Sequence, residues 1–118
     1  MNYDRFIEDA ISRGIQGGVT SLDNMQRAVF LVSEAEVMCD KDGIDTFLDC
    51  YEPEWIAETA ISFERVGAKE IASEFRRLMS HVHARDTILD RLNSLITQRF
   101  GYDYDSIVVA IKHYEKGD

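Results

Sequence analysis

The spacing of apolar residues along this 118-residue chain is the feature that most restricts its fold. Apolar side chains recur every three or four residues, as they do on one face of an α-helix, and the series are clearest over residues 71–82 and 88–100. The chain contains a single proline and no linker-like or low-complexity segment. We therefore predict an all-α fold in which residues 1–118 form one domain, a compact bundle of about six helices.

Capping residues predict where the first helices begin and end. Gly14 is a natural stop for the first helix, because glycine readily adopts the conformation that ends helices. Thr20 or Ser21 can cap the long second helix, and Asp23 supports its positive N-terminal end.

Three later segments complete the predicted fold. Residues 28–32 are apolar on every side of a helix, which predicts that the second helix is the most buried one. Residues 45–51 indicate a short helical turn, and Pro53 suits the first position of the next helix. Residues 107–111 have the composition of a strand, but a lone strand would have no partner in this chain, so helix is favoured.

Negative charge is concentrated in the middle of the chain. The chain carries 22 acidic residues against 13 Lys and Arg, for a formal net charge of −9. Residues 34–64 hold ten of the acids and one base, Lys41, while the flanking parts have net charges of −1 and +1. Because the same stretch contains core-type residues such as Phe47 and Phe63, we expect its acids to lie on folded helices.

Composition argues against several classes of function. Binding to nucleic acid requires a basic surface that displaces counterions from phosphates, so we predict no direct nucleic-acid partner. No apolar run approaches the ~20 residues of a membrane span. The N-terminus has neither the basic start nor the apolar stretch of a secretory signal. We therefore expect a cytoplasmic protein with no membrane partner.

The spacing of residues does not indicate a metal, cofactor or catalytic site. Residues 40–45 superficially resemble a calcium loop, but their glycine is fourth and an EF-hand requires it sixth. His81 and His83 would point ~200° apart on a helix and could not chelate one ion there. Cys39 and Cys50 lack the CxxC spacing of metal or redox sites. We predict no catalytic residue, no metal ligand and no cofactor.

Three interpretations of the acidic stretch remain open: a surface kept for a basic partner, a solvated face, and a catalytic carboxylate pair. We favour the first, because ten acids against one base over 31 residues exceed what solubility requires. Tyr51 and Trp55 lie among the acids, and aromatic residues beside charge are typical interface anchors. A single tryptophan in a small domain is also common in the core. The predicted partner-binding residues are Glu34, Glu36, Asp40, Asp42, Asp45, Asp49, Tyr51, Glu54, Trp55 and Glu58.

Two segments in the middle of the chain resemble a known family. Residues 42–48 are similar to a Gly-Gly-Phe-x-Gln-aromatic-aromatic signature, although several positions differ. Residues 57–72 resemble the family's helix, Ile/Val-Gly-Ala turn and next helix, with the turn at residues 66–68. The family is a bacterial domain of unknown function typified by a DNA-mimic protein, and the resemblance covers about residues 22–80. It implies an acidic, all-helical protein without a cofactor.

We therefore predict a non-enzymatic, acidic protein-interaction module. Its partner would be a basic surface on a DNA-binding protein, or on a toxin that this chain neutralises as an immunity-type protein. One alternative is a small metal-binding hydrolase that uses the same carboxylates. Another is a homo-oligomeric structural protein, such as a homodimer, in which the more basic residues 65–99 (seven basic, four acidic) face a neighbour's acidic stretch.

Overall fold

Seven α-helices and no strand form the part of the chain that the computed structural model describes, which is residues 1–80 and 84–116. The helices are α1 (Tyr3–Gly17), α2 (Asn24–Lys41), α3 (Ile44–Cys50), α4 (Pro53–Arg65), α5 (Lys69–Ser80), α6 (Arg85–Thr97) and α7 (Tyr104–Glu115). The predicted all-α fold is confirmed, but the number of helices over these residues is seven and not six.

The additional helix is α3, which the sequence predicted as a helical turn. Its first N–H group, on Ile44, donates a 2.7 Å hydrogen bond to Oδ1 of Asn93 on α6. This side chain therefore does the work of an N-cap, although it lies 49 residues away along the chain. A distant cap of this kind leaves no signal in the local sequence.

Helix α2 is the central helix, as its apolar run predicted. It packs against α1, α3, α4, α6 and α7, so it has buried residues on every side. These are Met25, Ala28, Val29, Phe30, Leu31, Val32, Ala35 and Cys39.

The cap of α2 is Asp23, and the prediction of Thr20 or Ser21 was wrong. The Asp23 carboxylate accepts the N–H of Gln26 at 2.9 Å, and the Gln26 side chain accepts the N–H of Asp23 at 3.2 Å. Thr20 and Ser21 lie just before it, in the 3-10 turn Val19–Ser21. The reciprocal pair satisfies two N–H groups of the helix end together.

Gly14 does not end α1, contrary to the prediction. The helix continues to Gly17 and is followed by Gly18 at φ +79°. Gly14 is buried, and a Cβ atom there would lie 2.2 Å from the Phe30 ring. Glycine at this position therefore allows α1 to approach α2 closely.

Two other predictions about the helices agree with the structure. Pro53 begins α4, and residues 107–111 are helical within α7. His81 and His83 lie outside the described residues. None of the described helices is long and apolar enough to cross a membrane. The radius of gyration is 13.6 Å, close to the ~13.5 Å expected of a compact chain of this length.

Candidate functional site

The predicted partner-binding residues fall into two groups in the structure. Three acids on α2 (Glu34, Glu36 and Asp40) bond to side chains of the same molecule. The other predicted acids lie in or next to α3 and α4, where Glu52 joins them, and the two aromatic residues are described separately below. We call this second group the α3–α4 acidic surface, and it consists of Asp42, Asp45, Asp49, Glu52, Glu54 and Glu58.

Arg99 neutralises two of the acids on α2. Its Nε lies 3.0 Å from Oε2 of Glu36, and its Nη2 and Nη1 donate to the two Asp40 oxygens at 2.7 and 3.2 Å. The hydrogen bonds from Arg99 lower the pKa of the Asp40 carboxyl. Glu36 also accepts a short hydrogen bond from the Tyr102 hydroxyl. Burial, together with the Glu36 carboxylate, raises the pKa of Tyr102.

The backbone of Arg99 is unusual. With φ at +53°, it is the one non-glycine residue in the left-handed region over residues 1–80 and 84–116. Its Nη1 also donates to the carbonyl of Ile96 at 2.7 Å. These bonds fix the connection between α6 and α7 against α2.

The two predicted anchor aromatics are half-buried and already have partners. The Tyr51 hydroxyl donates to Glu34 at 3.2 Å, and burial first, then Glu34, raises the pKa of Tyr51. The guanidinium carbon of Arg27 lies 5.2 Å from the ring centroid of Trp55, within the range of a cation–π contact. Trp55 also packs against the core. The two rings thus help to fix α3 and α4 against the rest of the bundle.

The α3–α4 acidic surface has no such partners. Residues 42–58 contain six carboxylates and no Lys, Arg or His. Within the described chain none of these carboxylates forms an ion pair or a hydrogen bond. Glu58 is half-buried and the other five are exposed. Asp45 and Asp49 lie one turn apart on the same face of α3, where like charges repel.

The arginines of the 65–99 stretch mostly bond within the chain. Arg77 and Arg91 each lie 3.0 Å from the buried carboxylate of Glu74. Arg76 lies 2.6 Å from Glu64, and its hydrogen bond lowers the pKa of that carboxyl. With Arg99, four of the seven basic side chains of this stretch are therefore used in intramolecular ion pairs.

The two cysteines lie in different environments and are not joined by a disulfide. Cys39 is buried beside Asn93, with its sulfur 3.3 Å from the Asn93 Oδ1, and burial raises the pKa of its thiol. A raised thiol pKa reduces the nucleophilic thiolate form at neutral pH. Cys50 is exposed, and both cysteines are free. No group of three or more His, Cys, Asp or Glu is placed to hold a metal ion among the described residues.

A cleft that sequence reasoning missed lies between the first turns of α1 and the start of α7. Its volume is about 330 Å³. Asp4 and Glu8 line one side, Tyr104 and Ile107 the other, and Tyr102 lines it further along. The two sides are about one hundred residues apart along the chain, so no spacing in the sequence connects them.

Comparisons with known proteins yield no relative: no family model, no curated protein and no solved structure matches the chain. The resemblance of residues 22–80 to the DNA-mimic family therefore stays a prediction.

Proposed function

We propose that this chain is a non-enzymatic interaction module that binds a basic surface of another protein through the α3–α4 acidic surface. One observation carries the proposal: this surface holds six carboxylates with no intramolecular cation, whereas Arg99 neutralises the neighbouring acids of α2. Over the described residues, these six carboxylates thus carry most of the uncompensated negative charge of residues 34–64.

Electrostatics explain what an uncompensated surface of this kind can do. Several like charges on one side of a molecule produce a potential that steers an oppositely charged partner and speeds its encounter. Asp45 and Asp49 lie one turn apart on α3, and Glu54 and Glu58 lie one turn apart on α4. The repulsion within each of these two pairs costs roughly 0.2–0.5 kcal/mol. A basic partner would relieve that repulsion on binding.

The carboxylates stand on elements that the fold holds in place. Phe47 anchors α3, since it is fully buried and its ring lies 6.5 Å from that of Phe75. The Asn93 side chain fixes the first turn of α3, and Pro53 starts α4. Charges on fixed helices need little ordering when a partner binds, which favours affinity.

The proposal narrows the contact surface that the sequence predicted. Glu34, Glu36 and Asp40 are given a role in holding the fold, because each already bonds to a side chain of the same molecule. Tyr51 and Trp55 are assigned to the edge of the contact, since both are half-buried. The centre of the contact is assigned to Asp45, Asp49, Glu54 and Glu58.

For the partner we favour the nucleic-acid site of a DNA-binding protein, as the family resemblance implies. Such a site is basic and evolved to pair with closely spaced negative charges. A basic toxin is the second candidate, and DNA distinguishes the two. Duplex DNA would displace this chain from a DNA-binding protein, while it would leave a complex formed away from a nucleic-acid site intact.

The experiment compares two variants that have the same net charge. In the surface variant, Asp45→Asn and Asp49→Asn are combined with Glu54→Gln and Glu58→Gln. In the control variant, four exposed acids elsewhere are neutralised, and these are Asp9, Asp86, Asp90 and Asp105, each changed to Asn. Proteins captured from host-cell extract by each immobilised chain are identified by mass spectrometry, and the affinity of the purified partner is then measured.

The proposal requires a basic protein that the wild type and the control variant retain and the surface variant loses. Its affinity should fall steeply between about 50 and about 300 mM salt, because screening weakens exposed charge pairs. If both variants bind the partner as well as the wild type does, or lose it equally, the α3–α4 acidic surface is not the contact.

A further inference from the structure

The cleft between α1 and α7, which we call the α1–α7 cleft, combines apolar walls with carboxylates. On α1, Asp4, Ile7 and Glu8 line it together, as residues three and four apart on a helix do. On the opposite side, Tyr104 and Ile107 come from the first turn of α7. An isoleucine therefore lies on each side, with charged or hydroxyl groups close to it.

One wall of the cleft is fixed by internal bonds. Tyr102 is buried, its hydroxyl donates to Glu36, and Glu36 also pairs with Arg99. Arg99 in turn holds Asp40 through two further hydrogen bonds. The N–H groups of Arg99 are thus largely used within the protein. This wall of the cleft is therefore a fixed surface, and Arg99 is not free to bind an anion.

The groups of the cleft that can still bond a ligand are negatively charged carboxylates on the α1 side. Asp4 accepts a short hydrogen bond from the Tyr104 hydroxyl, and Glu8 has no ion pair or hydrogen bond within the described chain. Counting Glu36, Asp103 and the positive Arg99, the side chains lining the cleft sum to −3. An anionic ligand would meet this charge unfavourably, while a cation would be attracted.

We propose that the α1–α7 cleft binds an alkyl cation, which means an alkylguanidinium or alkylammonium group. The aliphatic stem would lie against Ile7 and Ile107, and the cationic head would lie at Glu8 and Asp4. Such groups bury their methylene stems on apolar surface and form strong, charge-assisted bonds with carboxylates. The volume of about 330 Å³ is at the small end of ligand pockets, which run from about 300 to 1,000 Å³.

The same chemistry has two sources, a free small amine and the side chain of an arginine or lysine in another protein. This inference does not rest on the α3–α4 acidic surface, because the two sites share none of their residues. Their tests therefore succeed or fail separately.

The first test compares n-butylguanidinium with n-butylurea, which has nearly the same shape and no charge. Binding is followed by NMR of the Ile7 and Ile107 methyl groups in the full chain. We expect saturable shifts at both methyls and affinity at least about tenfold higher for the cation, since charged partners strengthen hydrogen bonds to carboxylates. Equal affinities, or no saturable shift at these methyls, would overturn the proposal.

A pair of single variants separates local binding from general attraction to an acidic protein. Glu8→Gln removes a charge inside the cleft, and Asp49→Asn removes one from the α3–α4 acidic surface. Both residues are exposed, and thermal unfolding checks that both variants fold. We expect Glu8→Gln to weaken n-butylguanidinium binding several-fold and Asp49→Asn to leave it unchanged. An equal effect of the two variants would contradict a specific site.

A last comparison identifies the source of the cation. A capped tetrapeptide with one arginine is titrated beside the same peptide with citrulline, its neutral counterpart, and beside free n-butylguanidinium. Tighter binding of the arginine peptide supports a protein side chain, and tighter binding of the free cation supports a small ligand. If the citrulline peptide binds as tightly as the arginine peptide, the cleft does not select for charge and the proposal fails.

Discussion

Glu36 and Asp40 on α2 and Asp45 and Asp49 on α3 form two pairs of acids with the same spacing, yet the fold treats them differently. In each pair the residues are four apart, so their like charges lie one turn from each other. Arg99 bonds to both members of the first pair. No cation within the described residues bonds to the second pair. Spacing thus creates the repulsion, and tertiary contacts decide whether it is offset.

The largest change in stability is expected when Arg99, the cation that bonds to the first pair, is replaced. Arg99→Met should lower the free energy of unfolding by about 1–2 kcal/mol, because it leaves two carboxylates close together and breaks the bonds to the α6–α7 connection. Urea unfolding measures the change. Arg65→Met, at an exposed arginine outside the observed ion pairs, is the control and should change stability little. Equal losses in the two variants would mean that the Arg99 bonds add nothing to the fold.

Removing one carboxylate of the paired set should have a smaller effect. Glu36→Gln should cost about 1 kcal/mol, since Gln keeps a bond to Tyr102 but loses the charge that pairs with Arg99. The matched variant is Asp49→Asn, which also removes one negative charge and breaks no observed bond. Urea unfolding measures the stability of both variants. A loss for Asp49→Asn as large as that for Glu36→Gln would contradict the difference between the ion-paired and the unpaired acids.

The hydrogen bond from Tyr102 to Glu36 also predicts how stability changes at alkaline pH. Folding raises the pKa of Tyr102, so above pH 10 the unfolded chain releases the phenol proton while the folded chain keeps it. The contribution of Tyr102 to the free energy of unfolding is therefore complete below pH 10, and it is lost as the pH rises further. Tyr102→Phe should show a shallower decline between about pH 9.5 and 11, measured by urea midpoints.

The matched change for the alkaline test is Tyr114→Phe, which removes a phenol from an exposed position near the end of α7. We expect its decline above pH 10 to follow that of the wild type. If Tyr102→Phe also follows the wild type, the hydroxyl of Tyr102 does not resist ionisation in the folded protein.

The smallest effect is expected at the unpaired acids, and it has the opposite sign. Asp49→Asn removes one member of this like-charge pair from the last turn of α3. It keeps Asp45 in the first turn, where a negative charge suits the helix N-terminus, so the protein should be stabilised by roughly 0.2–0.5 kcal/mol. The gain should vanish at high salt, where the repulsion is screened. Thermal unfolding at low and high salt measures it, and a clear loss of stability would show that the Asp49 carboxylate has a structural partner.

Local patterns in the sequence were enough to predict much of the fold. The apolar run within α2 predicted the most buried helix, since a helix without a polar side has to be surrounded. Pro53 predicted the start of α4 because its missing N–H costs nothing there. The prediction that Gly14 ends α1 was wrong, because glycine serves both to end helices and to let two helices approach closely. The sequence does not reveal which of these it does until Phe30 is placed against it.

The candidate sites were less accessible to prediction. The count of charges located the acidic stretch, and its residues 42–58 form the surface on which the proposed function rests. The same count could not separate Glu36 and Asp40 from the rest, because Arg99 is about sixty residues away in the chain. The α1–α7 cleft was missed altogether, since its walls come from the two ends of the chain.

The sequence by itself determined the helical class, the central position of α2 and the place where negative charge accumulates, because periodicity, composition and capping act within a few residues. Tertiary structure decided which carboxylates are neutralised, how α3 gains its cap from Asn93, and that α1 and α7 enclose a cleft. Ion pairs, distant caps and clefts depend on contacts between residues far apart in the chain. Their energies are set only when the helices pack.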